Sequence, residues 1–561
     1  MSADAKDLYL SNYSNERCTG YNIRYTTGDN KGEISTRKFI NTLDYSLDLI
    51  KLREVYEKVY RRMDFSFNRR GKEYNRHVVN VTFKYSVKEY NLFYGNTYVK
   101  LGFMPEECEL TDSVCVRDGE LLAVRVNAEV SSPITAEILG KYFAFDGGVY
   151  RVVKAIPVVL TVAQLRDMLY HNGFVCDGIH FVRFKRSSGS SRVGKCLFID
   201  DRMYSRMHKW GLCGLTVKEG QQIDLAALEA YIALTLSSII GLVSIRPENF
   251  LVIDDFESVF RDNVVAVRAS DDGWLTAAPE EVDVSNSIWD GQSLIDKSLM
   301  GEFDQHGMIL LRNRFFKSAC FNCNVQQFFA DRGITSISQL NGRTLAERIE
   351  DVKIITTPSS IKYLKFGSLE QWLSLLDEDS DFGVVKHEKP THFFDGRMVQ
   401  IHYQLLNSLQ MSQEEVDELL APSLDYLHKI QTDPAVLRYH IRHVGGDDVI
   451  SPASTPNDVV YQMLGVTDEF AKTKLYYDFR QDVSKAFKKA LSRGHVLVNG
   501  NYSTLLGNPL EMLYESVGRF YGKSLLGVGC IHSKRFSSGK TILGSRSPHV
   551  TSGNVWLTKN V

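Results

Sequence analysis

Three stretches of this sequence gather side chains that can hold phosphate. The first is Leu311-Arg312-Asn313-Arg314-Phe315-Phe316-Lys317. The second places Arg183, Lys185, Arg186, Arg192 and Lys195 around Ser187-Ser188-Gly189-Ser190-Ser191. The third is Arg546-Ser547-Pro548-His549. Guanidinium and ammonium groups make charge-assisted hydrogen bonds to phosphate oxygens, and glycine and serine let a backbone come close. A flexible, cationic, hydroxyl-rich turn can therefore track a phosphate backbone. Hydrolase chemistry has no comparable support, because neither His-Glu-x-x-His nor Gly-x-Ser-x-Gly occurs.

Each stretch also has a plainer reading. The 183–195 run serves equally as a solvated surface hairpin. In the 311–317 run, strand alternation would put Arg312 and Arg314 on one face, where they meet either a ligand or buried carboxylates. Arg546 to His549 is a polar bend whose proline removes a backbone donor. Gly189 to Lys195 has the spacing of a phosphate-binding P-loop, but Cys196 stands where magnesium needs Ser or Thr. A strand is also expected there instead of the helix whose amides would cradle phosphate. Cys320-x-x-Cys323 has no second pair nearby and reads as two strand residues, not a zinc site. Asp377, Glu378, Asp379 and Asp381 read as a solvated acidic turn, since their spacing is not that of an EF-hand loop. The cations from Lys472 to Arg493 lie toward a helix C-terminus, which favours positive charge in any case.

The elements that must carry these residues are partly legible. Residues 45–62 form a helix with an apolar stripe of Leu47, Ile50, Val55 and Val59. Val79 to Tyr85 alternates as a strand does, and Asp146-Gly147-Gly148 signals a turn. Strands are expected over 180–184 and 195–199. Asp224 caps a buried helix that leads to a strand. Phe250–Ile253, Val264–Val267 and Met308–Leu311 are strand-like runs that could close a small barrel. From about residue 330 the pattern is helical. Ser412-x-x-Glu415 is a capping box, Pro434 suits a first helical turn, and a helix opened by Thr467 ends near Gly494. Val496–Val498, Asn499-Gly500 and Tyr502–Leu506 read as a hairpin with a two-residue turn. Pro509 opens a further helix.

At 561 residues the chain exceeds one core, and about 150 residues per domain suggests three or four domains. The hydrophobic share of 43% and charged share of 24% are those of a soluble globular protein, which excludes a disordered one. Net charge is −2, so nucleic-acid contact needs a local groove and not a global field. Nine cysteines indicate no disulfide scaffold and a reducing cytoplasm. The first residues show no signal peptide. Leu225 to Ile245 is long and apolar, but Glu229 and Gly241 argue against a membrane span.

Taken in order, several motifs resemble the two-barrel, or double-psi β-barrel, RNA polymerase superfamily. The likeness is to eukaryotic-type RNA-dependent RNA polymerases and their bacterial and phage relatives. Pro247-Glu248-Asn249-Phe250-Leu251-Val252-Ile253-Asp254-Asp255 looks like the family's Pro-x-x-Ile-Leu-Val-Val-x-Asp strand. Asp290-Gly291-Gln292-Ser293 resembles its Asp-Gly-x-Gly segment. Arg312 to Lys317 falls where the family has a barrel strand ending in lysine. Ile401 to Asn407 resembles its Asn-Arg-Gln-x-x-x-Leu-Leu helix, and Gly544 to Gly553 its Arg-x-Pro strand. The order holds over about 245–561.

The resemblance implies an α+β, mixed multi-domain chain. Residues 1–155 would form an N-terminal β-rich domain with one helix, and 156–244 a basic hairpin and buried helix. Residues 245–330 would form a first double-psi β-barrel, 331–493 a helical connector, and 494–561 an incomplete second barrel. It implies template-directed nucleotidyl transfer, with Lys317, helped by Arg312 and Arg314, and Arg546 and Pro548, beside His549, reaching the same triphosphate. It also implies Mg²⁺ held by three aspartates. Those have no counterpart here, and Gly553-Asn554 stands in place of the family's glycine-aspartate. The implied partners are an RNA or DNA template, nucleoside triphosphates and a second polypeptide completing the barrel, without which the chain is expected to be inactive. A non-catalytic nucleic-acid-binding or assembly protein, or a DNA-directed polymerase of the same superfamily, are the competing readings.

Overall fold

The computed structural model describes residues 45–83 and 162–561, with short gaps at 70–71, 177–178, 217–218, 221, 377–378, 389–393, 395, 446–454 and 550–551. Elsewhere, apart from Leu43, it describes only the backbone of short strands. Lys84, Tyr85 and the glycines of Asp146-Gly147-Gly148 lie outside the described residues, as do Asp377 and Glu378. The architecture is mixed α+β. The chain divides into two units, residues 1–387 with 516–518, and residues 388–515 with 519–561.

In the first unit, strands from widely separated positions share a five-stranded sheet. Val78–Thr82 pairs antiparallel with Lys195–Asp200, which pairs with Ile179–Lys185. The helices Leu47–Tyr60 and Asp201–Leu212 cover one face, where Leu52, Val55, Tyr56, Ile199, Met203 and Met207 are buried together. Ser46 caps the first helix. Ile50, expected in its apolar stripe, is instead exposed, and Leu52 and Tyr56 take the inward positions. The difference is a rotation of the buried face, which the partly apolar outer face of this helix permits.

The larger sheet of this unit curls into a half-barrel of eight strands. Its order is Gly241–Ser244, Asp381–His387, Met308–Asn313, Phe316–Cys323, Gln292–Asp296, Ile354–Thr356, Phe250–Val252 and Arg343–Thr344. Two neighbours are parallel, 292–296 with 319–323 and 250–252 with 354–356, and the rest are antiparallel. The inner face holds an aromatic cluster. Phe316 stacks on Trp372 at 5.7 Å between ring centres, and Phe250 meets Trp372 edge-on at 5.4 Å. Burying side chains of this size contributes roughly 1.5–3 kcal/mol each.

The run Val264–Val267 does not join this sheet. It lies in Glu257–Ala269, which pairs along its whole length with Leu275–Ser287 as a separate ribbon. Alternation identified it as a strand, but its partner is local. The helix capped by Asp224 covers Leu225–Ile232 and is half-exposed, not buried. Leu225 is exposed, while Leu228, Tyr231 and Ile232 pack on the half-barrel. No helix among the described residues is long and apolar enough to cross a membrane.

In the second unit, helices Gln413–Thr432, Pro434–Gly445, Pro456–Val466 and Lys474–Leu491 enclose a core that includes Ile430, Leu437, Val460 and Phe487. The Ser412/Glu415 capping box forms as expected. Thr467 caps a single 3₁₀ turn, and Thr473 opens the long helix. The expected hairpin at Asn499-Gly500 is absent. Leu497–Asn499 pairs with Met398–Gln400, about a hundred residues upstream. A three-stranded sheet follows, ordered Cys530–Ile531, Val555–Asn560, Thr541–Ser545. Gly544 pairs with Trp556, and a Cβ there would fall 2.4 Å from the indole, so only glycine fits.

Candidate phosphate-binding site

The 311–317 run is a hairpin and not one continuous strand. Met308–Asn313 turns through Arg314 and Phe315 into Phe316–Cys323. Phe315 has a φ of 55°, uncommon for a bulky residue. It is nevertheless fully buried, packing edge-on against Tyr363 at 5.5 Å and Phe366 at 6.0 Å. The turn separates the two arginines. Arg314 goes inward, donating to the Leu375 carbonyl at 3.0 Å and lying 3.8 Å from Asp379. The ligand-facing role expected for it gives way to a structural one. Asp379 also accepts from Trp210 Nε1 at 2.8 Å, so the acidic segment ties elements together.

The hairpin instead sets Arg312 directly opposite Lys317. Like charges facing across a strand pair are destabilising. Burial holds Arg312 below the usual arginine range, and its Nη1 donates to the Leu311 carbonyl at 2.8 Å. Lys317 is also depressed, first by partial burial, then by Arg312, then by Lys362. Neither Arg312 nor Lys317 makes an ion pair among the described residues. The nearest compensation for Lys317 comes from Tyr231 and exposed Asp290, acting through the field alone.

Lys362 had no signal in the sequence, yet the fold brings it here. The Phe315 carbonyl accepts from the Lys362 amide at 2.7 Å, and Phe316 bridges to Ile361. Ser359 is the junction. Its amide and hydroxyl donate to the Asp255 carboxylate at 3.0 and 2.8 Å, and its Oγ accepts from the Gly291 amide at 3.0 Å. The segments 247–255, 290–295 and 312–317 thus converge within one unit around the 358–362 turn. Beneath them lies a buried hydroxyl chain. Ser293 Oγ is 2.7 Å from Ser318 Oγ and 2.6 Å from Thr356 Oγ1, and Ser360 donates to Ser318 at 3.1 Å. Cys320 lies in the same floor, its thiol pushed up to about 12 by burial. Cys320 and Cys323, three apart on one strand, point to opposite faces and cannot share a metal.

Three of the five cations in the second cluster are paired with acids on neighbouring helices. Lys185 is buried and donates to Asp48 at 2.7 Å and to Thr235 at 3.1 Å. It is a core residue, because the strand's inward register leaves it no path to solvent. Arg183 and Arg186 both pair with Glu229 on the neighbouring helix, Arg186 at 3.2 Å, and Arg183 also covers the Tyr170 ring at 4.4 Å. The serine-glycine segment is not a flexible turn but a one-turn helix, Ser188–Arg192, capped by Ser187. Arg192 is exposed and Lys195 half-buried at the start of its strand. Since a strand follows Lys195, the P-loop geometry is absent.

In the second unit, the strand Thr541–Ser545 ends just before Arg546. Arg546 is exposed and makes no ion pair among the described residues, and Pro548 follows a cis peptide bond. His549 fixes this bend. Its Nδ1 donates toward the Gln404 carbonyl at 3.1 Å, with Ser408 Oγ 2.9 Å away, so Nε2 accepts from Ser545 at 2.8 Å. The 401–407 and 544–549 segments therefore meet through His549. It is a positioning residue for the bend, a role its sequence neighbourhood did not reveal.

Mg²⁺ does not fit the residues at the first site. The donors there are cations and hydroxyls, and the nearby carboxylate of Asp255 is already engaged by Ser359. Mg²⁺ is usually held by one or two carboxylates together with waters and substrate phosphates, and the cations and engaged carboxylate here do not supply that set.

Comparison by sequence finds no matching family and no matching curated protein. Among solved structures, the chain is similar to an RNA dependent RNA polymerase, QDE-1 from Thielavia terrestris. The identity is 11% and the TM-score 0.42, over 75% of this chain and 48% of that one. The chain thus spans about half the length of that polymerase. This likeness assigns neither a family nor an activity.

Proposed function

We propose that this chain is a phosphate-binding part of a template-directed nucleotidyltransferase of the RNA-directed RNA polymerase kind. Lys317 would be the principal contact, with Arg312 and Lys362 beside it. The observation that carries the reading is the cluster itself. Three cations are gathered without a paired carboxylate among the described residues, where three polymerase-like motifs converge. An anion with several charges, such as a triphosphate or a nucleic-acid backbone, offsets their repulsion and accepts their hydrogen bonds. Arg546, exposed at its bend and without an ion pair among the described residues, is the candidate contact in the second unit. Arg192 and Lys195 remain as peripheral backbone contacts.

A non-catalytic nucleic-acid-binding protein on the same scaffold is the second reading, since the cationic cluster alone binds phosphate without chemistry. Two measurements separate the readings. Binding of a fluorescent nucleoside triphosphate and of single-stranded RNA is titrated against salt, for the protein and for Lys317→Ala. Both readings expect affinity that falls with salt and falls about tenfold on substitution. Salt-independent binding, or none, rejects both. Nucleotide incorporation on RNA and DNA templates with Mg²⁺ then tells a polymerase from a binding protein.

A further inference from the structure

The ribbon formed by Glu257–Ala269 and Leu275–Ser287 pairs with no other strand among the described residues. At its base, Phe256 meets the buried Trp289 at 5.5 Å and the Ile288 amide donates to the Phe256 carbonyl at 2.9 Å. A two-stranded hairpin is marginal in water without a third layer. Its outer half is also apolar. Val265, Val267 and Ala269 share one face and lie opposite Pro279, Ala277 and Leu275. Val265, Val267, Leu275 and the tip residue Trp274 are all exposed, Trp274 at 77%. Apolar surface displayed this way marks an interaction site. Pro279 interrupts the 275–287 edge, but the 257–269 edge has neither proline nor lysine, two residues that commonly block strand addition.

Charge decides what fits. Residues 257–287 hold seven Asp and Glu, against Arg261 and Arg268 alone. Both arginines are engaged inside the ribbon, Arg268 by Glu280 at 3.0 Å and Arg261 near Glu281 at 3.6 Å. Asp271 and Asp272 stand in the tip turn beside Trp274. This excess repels nucleic-acid phosphates and a second copy of the same ribbon. It attracts a surface that combines an apolar strip with lysine or arginine.

We propose that the ribbon is a docking arm for a basic protein partner that lays an alternating apolar–cationic strand along it. This does not depend on the phosphate-binding reading, since the Lys317 hairpin is not part of the arm.

The probe is a fluorescent ten-residue peptide alternating lysine and valine, compared with a glutamate–valine peptide, on the full chain at low salt. The lysine peptide should bind and the glutamate peptide should not. Affinity should fall at least tenfold in the Val267→Ser, Trp274→Ser double variant, and about threefold in Asp271→Asn, Asp272→Asn. A variant with residues 259–285 replaced by a short Gly-Ser turn should lose binding while keeping its thermal unfolding and its nucleotide affinity. The proposal is overturned if the lysine peptide fails to bind, if both peptides bind alike, or if binding survives loss of the ribbon. Ribbon-dependent self-association in sedimentation, or ribbon-dependent RNA binding, would overturn it equally.

Discussion

The clusters at 183–195 and 312–317 look alike as strings of letters and differ in what surrounds them. Lys185 has Asp48 and Arg183 has Glu229, acids supplied from helices 46 to 137 residues away. Arg312 and Lys317 have each other. The first arrangement is a neutralised joint between sheet and helices. The second gathers unfavourable charge at one place, offset within the fold only by the field of Tyr231 and Asp290, and the proposed anion would relieve it further. A cationic run therefore suggests a ligand when the fold denies it carboxylates, not when it is merely rich in arginine.

The sharpest way to break this contrast is to remove Lys185. Lys185→Ala leaves Asp48 buried without its cation and should cost about 3–5 kcal/mol in denaturant unfolding. Nucleotide affinity of the folded fraction should not change. If Lys185→Ala were as stable as the parent but bound nucleotide poorly, the two clusters would have exchanged roles.

Acid provides the next test. Asp200, at the end of the Lys195 strand, is held near a pKa of about 2. Burial alone would raise it, but hydrogen bonds from His77, Tyr60 and Arg202 outweigh that. A depressed carboxylate adds stability that is complete above its unfolded value near 3.9 and lost as pH falls toward 2. Unfolding free energy should therefore drop by about 2 kcal/mol across that window, and Asp200→Asn should flatten the drop.

At the 312–317 cluster the charge itself is unfavourable, so removing it should not cost stability. Lys317→Ala should weaken nucleotide binding about tenfold, or about 1.4 kcal/mol, while thermal stability holds or rises slightly as the repulsion with Arg312 goes. Its depressed ammonium means that the folded state binds fewer protons than the unfolded one just below the ordinary lysine range. Stability should rise with pH through that window, and the rise should vanish in Lys317→Met. A fall in stability on either substitution would show a hidden counter-charge. The smallest effect belongs to Arg183→Ala. Its partly exposed pair with Glu229 should be worth about 0.5 kcal/mol, with no change in binding.

Local chemistry was legible where one residue acts on its near neighbours. Ser412 and Glu415, Asp224, Pro434 and Pro509 all sit at the helix starts their types suggest. Partnership over distance was not. Leu497–Asn499 has a turn signal beside it, yet pairs with Met398–Gln400, with Leu497 buried in the helical core and its amide donating to Ser423 Oγ at 2.9 Å. Val264–Val267 alternates like a sheet strand and becomes a free ribbon. Lys362 and Ser359 carried no motif, since their roles arise only when 358–362 closes over the 314–315 turn. The same limit explains Arg314, whose direction depends on one residue, Phe315, adopting a positive φ.

The strand order of the half-barrel has a consequence for synthesis. Gly241–Ser244 and Met308–Asn313 both pair with Asp381–His387, the last strand of the sheet to be made. Until the ribosome has released that segment, both wait with open hydrogen-bonding edges. Closing a sheet whose partners are so far apart along the chain is slow, and half-made chains are prone to stick. A translation pause placed before residue 381 should thus raise the demand for chaperones far more than one placed after residue 387.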